Sequence, residues 1–434
     1  SGGGTDVTGS GTIASATQWV GSLDVSSLGD GTLTLSVVLT DPLGNAAPAV
    51  TNTVTKDMQA PLISFTSGIA GDEIVNSSEQ AAVTVSGRTS GAEDGQSVTI
   101  SIVDSQATSL TYAATVSGDI WTLGIDMTAL ADGALTLTAS VGDDAGNRSA
   151  DATASLLKDV VAPTGHSATF DASVINVANE TAGSFSFAAA EVGASYSYTI
   201  SSSGGGTNVT GSGAIATAAD QISGLDLSVL ADGTLTLTVV LVDPQGNIST
   251  AVTDTITKDA VAPSLVFDTP LATDDLISQA EAPAVVVSGT ASGVEDGQTV
   301  SIAITNISPT TQNETATVTG GIWSVTVDMS GLGDGALSLT ADVLDVAGNP
   351  AVQASKSLSL DATVPVGFGA VFDDSVINLA NQSASSFSFV GAEVGATYDY
   401  TISSSAGGAD VTGTGGIATG TDQINGIDLS GLND

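Results

Sequence analysis

The feature that most constrains this chain is a short phrase repeated at near-constant spacing. Lys56-Asp57-Met58-Gln59-Ala60-Pro61 returns as Lys158-Asp159-Val160-Val161-Ala162-Pro163 and as Lys258-Asp259-Ala260-Val261-Ala262-Pro263. A looser copy, Leu360-Asp361-Ala362-Thr363-Val364-Pro365, follows. The steps from Asp57 to Asp159, Asp259 and Asp361 are 102, 100 and 102 residues. Each copy therefore reads as a joint between successive domains of about a hundred residues, a size that sustains one core.

Two repeat types alternate between the joints. Ser1–Asp30 reappears as Ser203–Asp232 and Ser405–Asp434, which makes the full unit a 202-residue pair of an A-type and a B-type domain. In the B-type copies, Ser90–Gln96 answers to Ser292–Gln298 and Trp121 to Trp323. The division is 1–58, the C-terminal strands of an incomplete A-type domain; 59–161, B-type; 162–261, A-type; 262–363, B-type; and 364–434, the N-terminal strands of an incomplete A-type domain.

Short alternating runs rich in Thr, Val, Ser and Leu, punctuated by 51 glycines and lacking any amphipathic stretch of helical length, indicate an all-β fold. In 59–161 the runs give seven strands: one starting after Pro61, Ala82–Arg88, Ser97–Val103, Tyr112–Val116, Ile120–Ile125, Ala134–Val141 and Asp151–Leu157. Seven short strands with turns about every ten residues suit a tandem array of immunoglobulin-like β-sandwiches, although the family's Cys, Trp, Cys hallmark lacks its cysteines.

Strand direction sorts the turns onto two poles. If the chain enters a domain at one pole, the turn after the second strand and the turn after the sixth return to that pole. A joint then brings Asp57 toward Glu93, Asp94 and Asp143; Asp159 toward Glu191 and Asp243; Asp259 toward Glu295, Asp296 and Asp345; and Asp361 toward Glu393. Two carboxylates about 4 Å apart repel by roughly 4 kcal/mol at an effective dielectric near 20, so such a cluster protonates, splays or binds a cation. Hard oxygen donors in irregular loops favour Ca2+ over Zn2+, which takes Cys or His. All thirteen acids are the metal-ligand candidates.

The same residues have simpler uses. Asp41-Pro42-Leu43-Gly44-Asn45 and the loops beginning at Asp143, Asp243 and Asp345 make good hairpin turns without metal, with Gly or Asn supplying positive φ. Asp30-Gly31, Asp132-Gly133, Asp232-Gly233 and Asp334-Gly335 also read as turns, and Lys56, Lys158 and Lys258 are alternative counterions for the joint acids. The exit aspartates Asp57, Asp159, Asp259 and Asp361 have the weakest local explanation and are the leading ligand candidates.

Catalysis finds no support, because the chain has no cysteine and its one histidine, His166, reads as a surface or edge residue with no recurring partner. Trp121 and Trp323 lie inside strands and read as core. A net charge of -41, from 47 acids against six Lys and Arg, argues against nucleic acid or an anionic membrane surface as partner. The sequence holds no signal peptide, lipidation motif or apolar run long enough to cross a bilayer.

The run Asp-Leu-Ser, Leu-x-Asp-Gly, alternating strand, Asp-x-x-Gly-Asn, alternating strand and Asp-x-x-Ala-Pro, seen from Asp226 to Pro263, resembles the bacterial Ig-like repeats of giant surface adhesins. Asp72 to Glu79 is similar to the Asp-x-x-x-Asn-x-x-Glu opening of those repeats. The resemblance covers the whole chain. It implies a type I-secreted, RTX-type extracellular protein, at the cell surface or in its matrix, in which tandem sandwiches stiffened by Ca2+ at their linkers hold an adhesive domain away from the cell. The expected partners are neighbouring repeats of the same polypeptide and other copies in a filament. A self-associating filament or sheath protein and a carbohydrate- or host-binding module are the alternatives.

The stretches 1–58 and 364–434 lack parts of their sandwiches and are expected to order only when neighbours complete them. The end at Asp422–Asp434 would be continued by sequence like that from Gly31, either in one fibre or by head-to-tail pairing between chains.

Overall fold

A strand half-covered by a sheet buries every second residue, and the run Val83–Ser90 (VTVSGRTS) does so along its length. The same alternation recurs throughout the computed structural model of this chain, which describes residues 2–307 and 310–433. Ser1 and Asp434, which end two of the repeat copies, lie outside the described residues. The described chain divides into two compact units, 1–175 with 179–258, and 176–178 with 259–434.

The first unit begins with a two-stranded hairpin, Gly31–Val37 against Val50–Lys56. The stretch 59–161 follows as two packed sheets. One holds Leu62–Phe65, Val83–Ser90 and Ile120–Ile125. The other, in spatial order, holds Ile74–Val75, Ala152–Lys158, Gly133–Val141, Ser97–Val103 and Ser109–Thr115. Between them lies an apolar core in which Trp121 is almost fully buried. Trp121 lies over Gly87, where a Cβ would come within 2.4 Å of the indole, and Phe65 meets it edge-on at 5.4 Å.

Three sequence boundaries move. The first strand divides, its short second piece pairing parallel with the last strand, because Gly68 and Gly71 adopt positive φ and turn the chain onto the opposite sheet. The fourth strand begins at Ser109 rather than Tyr112, where pairing with Val103 already starts. The last strand runs Ala152–Lys158, so the lysine of the joint phrase belongs to the sheet.

Residues 162–258 of the first unit form a three-stranded sheet (Ser167–Phe170, Gly183–Ala188, Gln221–Leu225) and a four-stranded one. The latter runs Val209–Ala214, Ser195–Ser202, Gly233–Val242, Val252–Lys258 in spatial order. Phe185, Phe187, Tyr196 and Tyr198 pack in this core against Leu235, Leu237 and Val239. His166, expected at the surface or an edge, is buried just ahead of the strand Ser167–Phe170, and desolvation holds its pKa below the ordinary imidazole range.

In the second unit, 262–361 repeats the three-plus-five arrangement, with Trp323 in the place of Trp121. Residues 364–433 form a three-stranded sheet (Gly369–Phe372, Ser385–Val390, Gln423–Ile427) and a two-stranded one, Thr397–Ile402 with Val411–Gly416. Both terminal stretches thus form strands. Local hairpin pairing and a small core around Phe387, Phe389 and Ile417 account for it.

Candidate functional site at the joints

At the entry pole of 59–161, Glu93 Oε2 accepts the Asp144 N–H at 2.9 Å, so the second and sixth turns meet as strand direction requires. Glu295 and the Val346 N–H repeat this contact at 2.9 Å. At the joint entering 162–261, the pKa of Glu191 lies above the usual glutamate range. Desolvation is the main cause, and the negative charges of Asp243 and Asp159 add to it. The charges of Asp243 and Asp159 therefore reach Glu191.

The others are only partly gathered. Asp94 and Asp296 turn to the next hairpin, accepting the N–H groups of Gly118 at 2.7 Å and Gly320 at 2.6 Å. Asp361 ends the strand Ala354–Asp361 with an exposed side chain, and Glu393 is also exposed. Among the described residues, no three His, Cys, Asp or Glu side chains are close enough together to form a ready metal centre.

The exit aspartates do have a local role. Asp57, Asp159 and Asp259 each use Oδ1 to accept the N–H two residues on, from Gln59, Val161 and Val261, at 3.0, 3.0 and 3.1 Å. Such Asx turns fix the bend of the linker before its proline.

Asp143, Asp243 and Asp345 are buried, each inside its own loop. Asp243 Oδ1 accepts the N–H groups of Gln245 and Asn247 at 2.9 and 2.8 Å, and Oδ2 accepts Asn247 Nδ2 at 2.8 Å. For Asp143, burial raises the pKa, but hydrogen bonds from Asn147, Gly146 and Ala145 outweigh it and leave the carboxyl below its ordinary range. The turn chemistry read from these loops is therefore present.

The residue that joins domains is the asparagine closing each loop. Asn247 is fully buried. Its Nδ2 donates to the Asp159 main-chain carbonyl at 3.0 Å, while its Oδ1 accepts the Ser77 N–H at 2.8 Å. One amide thus ties its own loop, the linker and a loop of 59–161. Within the second unit, Asn349 repeats the arrangement: Nδ2 to Asp259 O at 2.9 Å and Val177 N–H to Oδ1 at 2.9 Å, with Asn176 Nδ2 also reaching Ala347 O at 2.7 Å. Asn147 reaches Asp57 O at 3.2 Å and is only half-buried. Asn45 bonds only its loop partner Asp41 and is exposed.

The sequence reading left the positive φ of these loops to Gly or Asn, and the backbone gives it to the glycine. Positive φ belongs to Gly44, Gly146, Gly246 and Gly348, at 87–93°. A glycine already serves each turn, so an asparagine kept beside it in all four loops was the available signal of a second task.

The lysines of the joint phrase are also corrected: they turn back into their own domains. Lys158 Nζ, buried, donates to Leu130 O at 2.8 Å and pairs with Asp132 at 3.1 Å. Lys258 pairs with Glu180 at 2.9 Å and Asp232 at 3.1 Å, and Lys56 bonds the Val25 carbonyl at 3.0 Å and also the Leu28 carbonyl. For Lys158 and Lys258 the aspartate of the Asp-Gly turn is a counterion. Where Leu360 replaces lysine it is buried, and the matching Asp334 instead accepts the Ala362 N–H of the linker at 2.8 Å.

Fold and joints define an all-β, repeat-patterned array of small β-sandwich-like domains. The chain has no cysteine, and the buried Nε2 of His166 has no hydrogen-bond partner among the described residues. No helix among the described residues is long and apolar enough to cross a membrane.

The chain is similar to a tetra-tandem repeat from the extending region of a large adhesion protein, with 26% identity over 86% of this chain and 92% of that one and a TM-score of 0.35. It is also similar to part of a 1.5-MDa bacterial ice-binding adhesin, with 25% identity, 71% and 100% coverage and a TM-score of 0.35. Fibronectin(III)-like modules of Clostridium thermocellum CbhA show 15% identity, 46% and 95% coverage and a TM-score of 0.29. No protein-family model matches the chain, and the curated proteins give no match.

Proposed function

We propose that this chain is a structural extender: a length of a bacterial cell-surface or extracellular-matrix adhesin fibre, of the giant RTX-type class, that separates functional domains mechanically. In this reading it is built of seven-stranded Ig-like domains of two alternating types, with joints at residues 58–59, 161–162, 261–262 and 363–364. The observation that carries the reading is the buried Asn247, whose one side chain bonds its own loop, the linker carbonyl of Asp159 and Ser77 of 59–161. A joint fixed on three sides transmits direction from one domain to the next, which a spacer requires.

Calcium is proposed as a second source of stiffness. At the joint of Asp159, Glu191 and Asp243, desolvation and then the charges of the two aspartates raise the proton affinity of Glu191, and a hard divalent cation would relieve that repulsion. The same role is proposed for Asp57 with Glu93, Asp94 and Asp143, for Asp259 with Glu295, Asp296 and Asp345, and for Asp361 with Glu393. Small-angle scattering from the chain, in millimolar Ca2+ and after chelation, tests both parts. The reading expects an extended particle that gains flexibility on chelation. Identical profiles would remove the calcium part, and a compact particle in both conditions would remove the extender.

A further inference from the structure

We infer that the outer side of 59–161 carries a binding site for a small hydroxylated carboxylate, a uronic acid in chemical class, with Ser86 and Arg88 holding its carboxylate. The inference stands on a difference between this domain and its sisters, independently of the joints and of the extender reading.

The first strand of the other domains ends in one arrangement. Phe170, Phe267 and Phe372 are each followed by an aspartate whose N–H donates to a serine carbonyl of the paired strand: Asp171 to Ser184 at 3.2 Å, Asp268 to Ser288 at 2.9 Å and Asp373 to Ser386 at 3.2 Å. The carboxylate then takes the hydroxyl of that serine. Ser288 and Ser386 each donate at 2.5 Å, and Asp171 is bonded by the Ser184 side chain and by Gln221 Nε2 at 2.8 Å. In 59–161 the same main-chain bond runs from the Thr66 N–H to Ser86 O at 2.9 Å, so Thr66 stands where the other domains have the carboxylate.

A second exchange lies two residues further along the paired strand. Ser186, Thr290 and Ser388 follow those serines, and the matching residue in 59–161 is Arg88, on the same exposed face as Thr84 and Ser86. Arg88 makes no ion pair or hydrogen bond among the described residues, whereas Lys56, Arg148, Lys158, Lys258 and Lys356 are all engaged. One place has thus lost a negative charge and gained a positive one, in a chain whose net charge is -41.

At that place lies a cavity of about 470 Å³, lined by Thr66, Ser67, Thr84, Ser86 and Glu79 among others. Two residues of strand span roughly 7 Å, within reach of an arginine side chain, so the guanidinium can close on a carboxylate seated at Ser86. The sister domains show that a carboxylate is what this serine position takes. The hydroxyls of Thr66, Ser67 and Thr84 suit the hydroxyl groups of a sugar ring, as does Glu79, whose Oε2 already accepts the Asn76 N–H at 3.2 Å. A cavity of this volume holds a monosaccharide.

Titration of the full chain with glucuronate, followed by ligand-observed NMR, tests the site, with glucose and inorganic phosphate as comparison ligands. The inference expects glucuronate to bind about tenfold or more tightly than either. It expects a loss of about tenfold or more in Arg88→Ser and in Thr66→Asp, which install the sister domains' residues at exposed positions and so leave the fold intact. No binding of glucuronate, glucose or phosphate bound as tightly, or binding unchanged in both variants would each overturn it. A mass that rises with concentration in sedimentation velocity, and no longer does so in Arg88→Ser, would place the carboxylate on a second copy of the chain and overturn it as well.

Discussion

At the scale of single residues, the joint depends on which groups are paired and which are crowded. At Glu191, desolvation first and the charges of Asp243 and Asp159 second make the carboxyl hold a proton more tightly in the folded chain than in the unfolded one. Folding then takes up protons in the mildly acidic range. The stability from this site is complete below the unfolded pKa and falls as pH rises through the raised folded value. In chelator, thermal unfolding should show this dependence, and Glu191→Gln should flatten it; a side-chain pKa at or below the ordinary glutamate range by NMR would contradict the account. Because Glu191 is exposed, salt should weaken the effect. The meeting of the second and sixth turns at Glu93 and Glu295 was legible in the sequence because strand direction places them. Asn247 was not, because a neutral amide beside a glycine looks like turn chemistry until the carbonyl of Asp159 and the N–H of Ser77 are seen to converge on it.

Strands supply the next level of control through their ends. Lys258 closes the strand Val252–Lys258, and although burial lowers its proton affinity, hydrogen bonds and attraction from Glu180 and Asp232 raise it further. A raised lysine pKa contributes stability that is present at neutral pH and is lost as pH rises through the folded value. Lys258→Met leaves Glu180 and Asp232 without their partner and should destabilise the first unit by about 1–3 kcal/mol, Asp232 being partly solvated. Chemical denaturation at neutral pH measures this, and the loss should shrink in strongly alkaline buffer. A loss that stays constant with pH would show that lysine packing, not its charge, matters. The alternating runs made most strands readable, as in Val83–Ser90, where period two survives along the strand. The split first strand was hidden because its crossover depends on the positive φ of Gly68 and Gly71, a choice that glycine permits without announcing.

At the scale of the whole molecule, the proposal is that the asparagine joints tie each linker to the domain it enters, with cations proposed as a second source of stiffness. Four loops end in the same asparagine, yet burial follows surroundings: Asn247 and Asn349 are fully buried, Asn147 is half-buried and Asn45 is exposed. Each linker or loop group left unpaired at a buried joint costs about 1–3 kcal/mol, enough to open a contact that no disulfide backs up. The most direct measurement is small-angle scattering at fixed Ca2+ on the chain with and without Asn147→Ala, Asn247→Ala and Asn349→Ala together. The account predicts a shorter mean dimension and the scattering of a flexible chain in the triple variant, with each domain's strand content unchanged by circular dichroism. Superimposable profiles from the two proteins would contradict it.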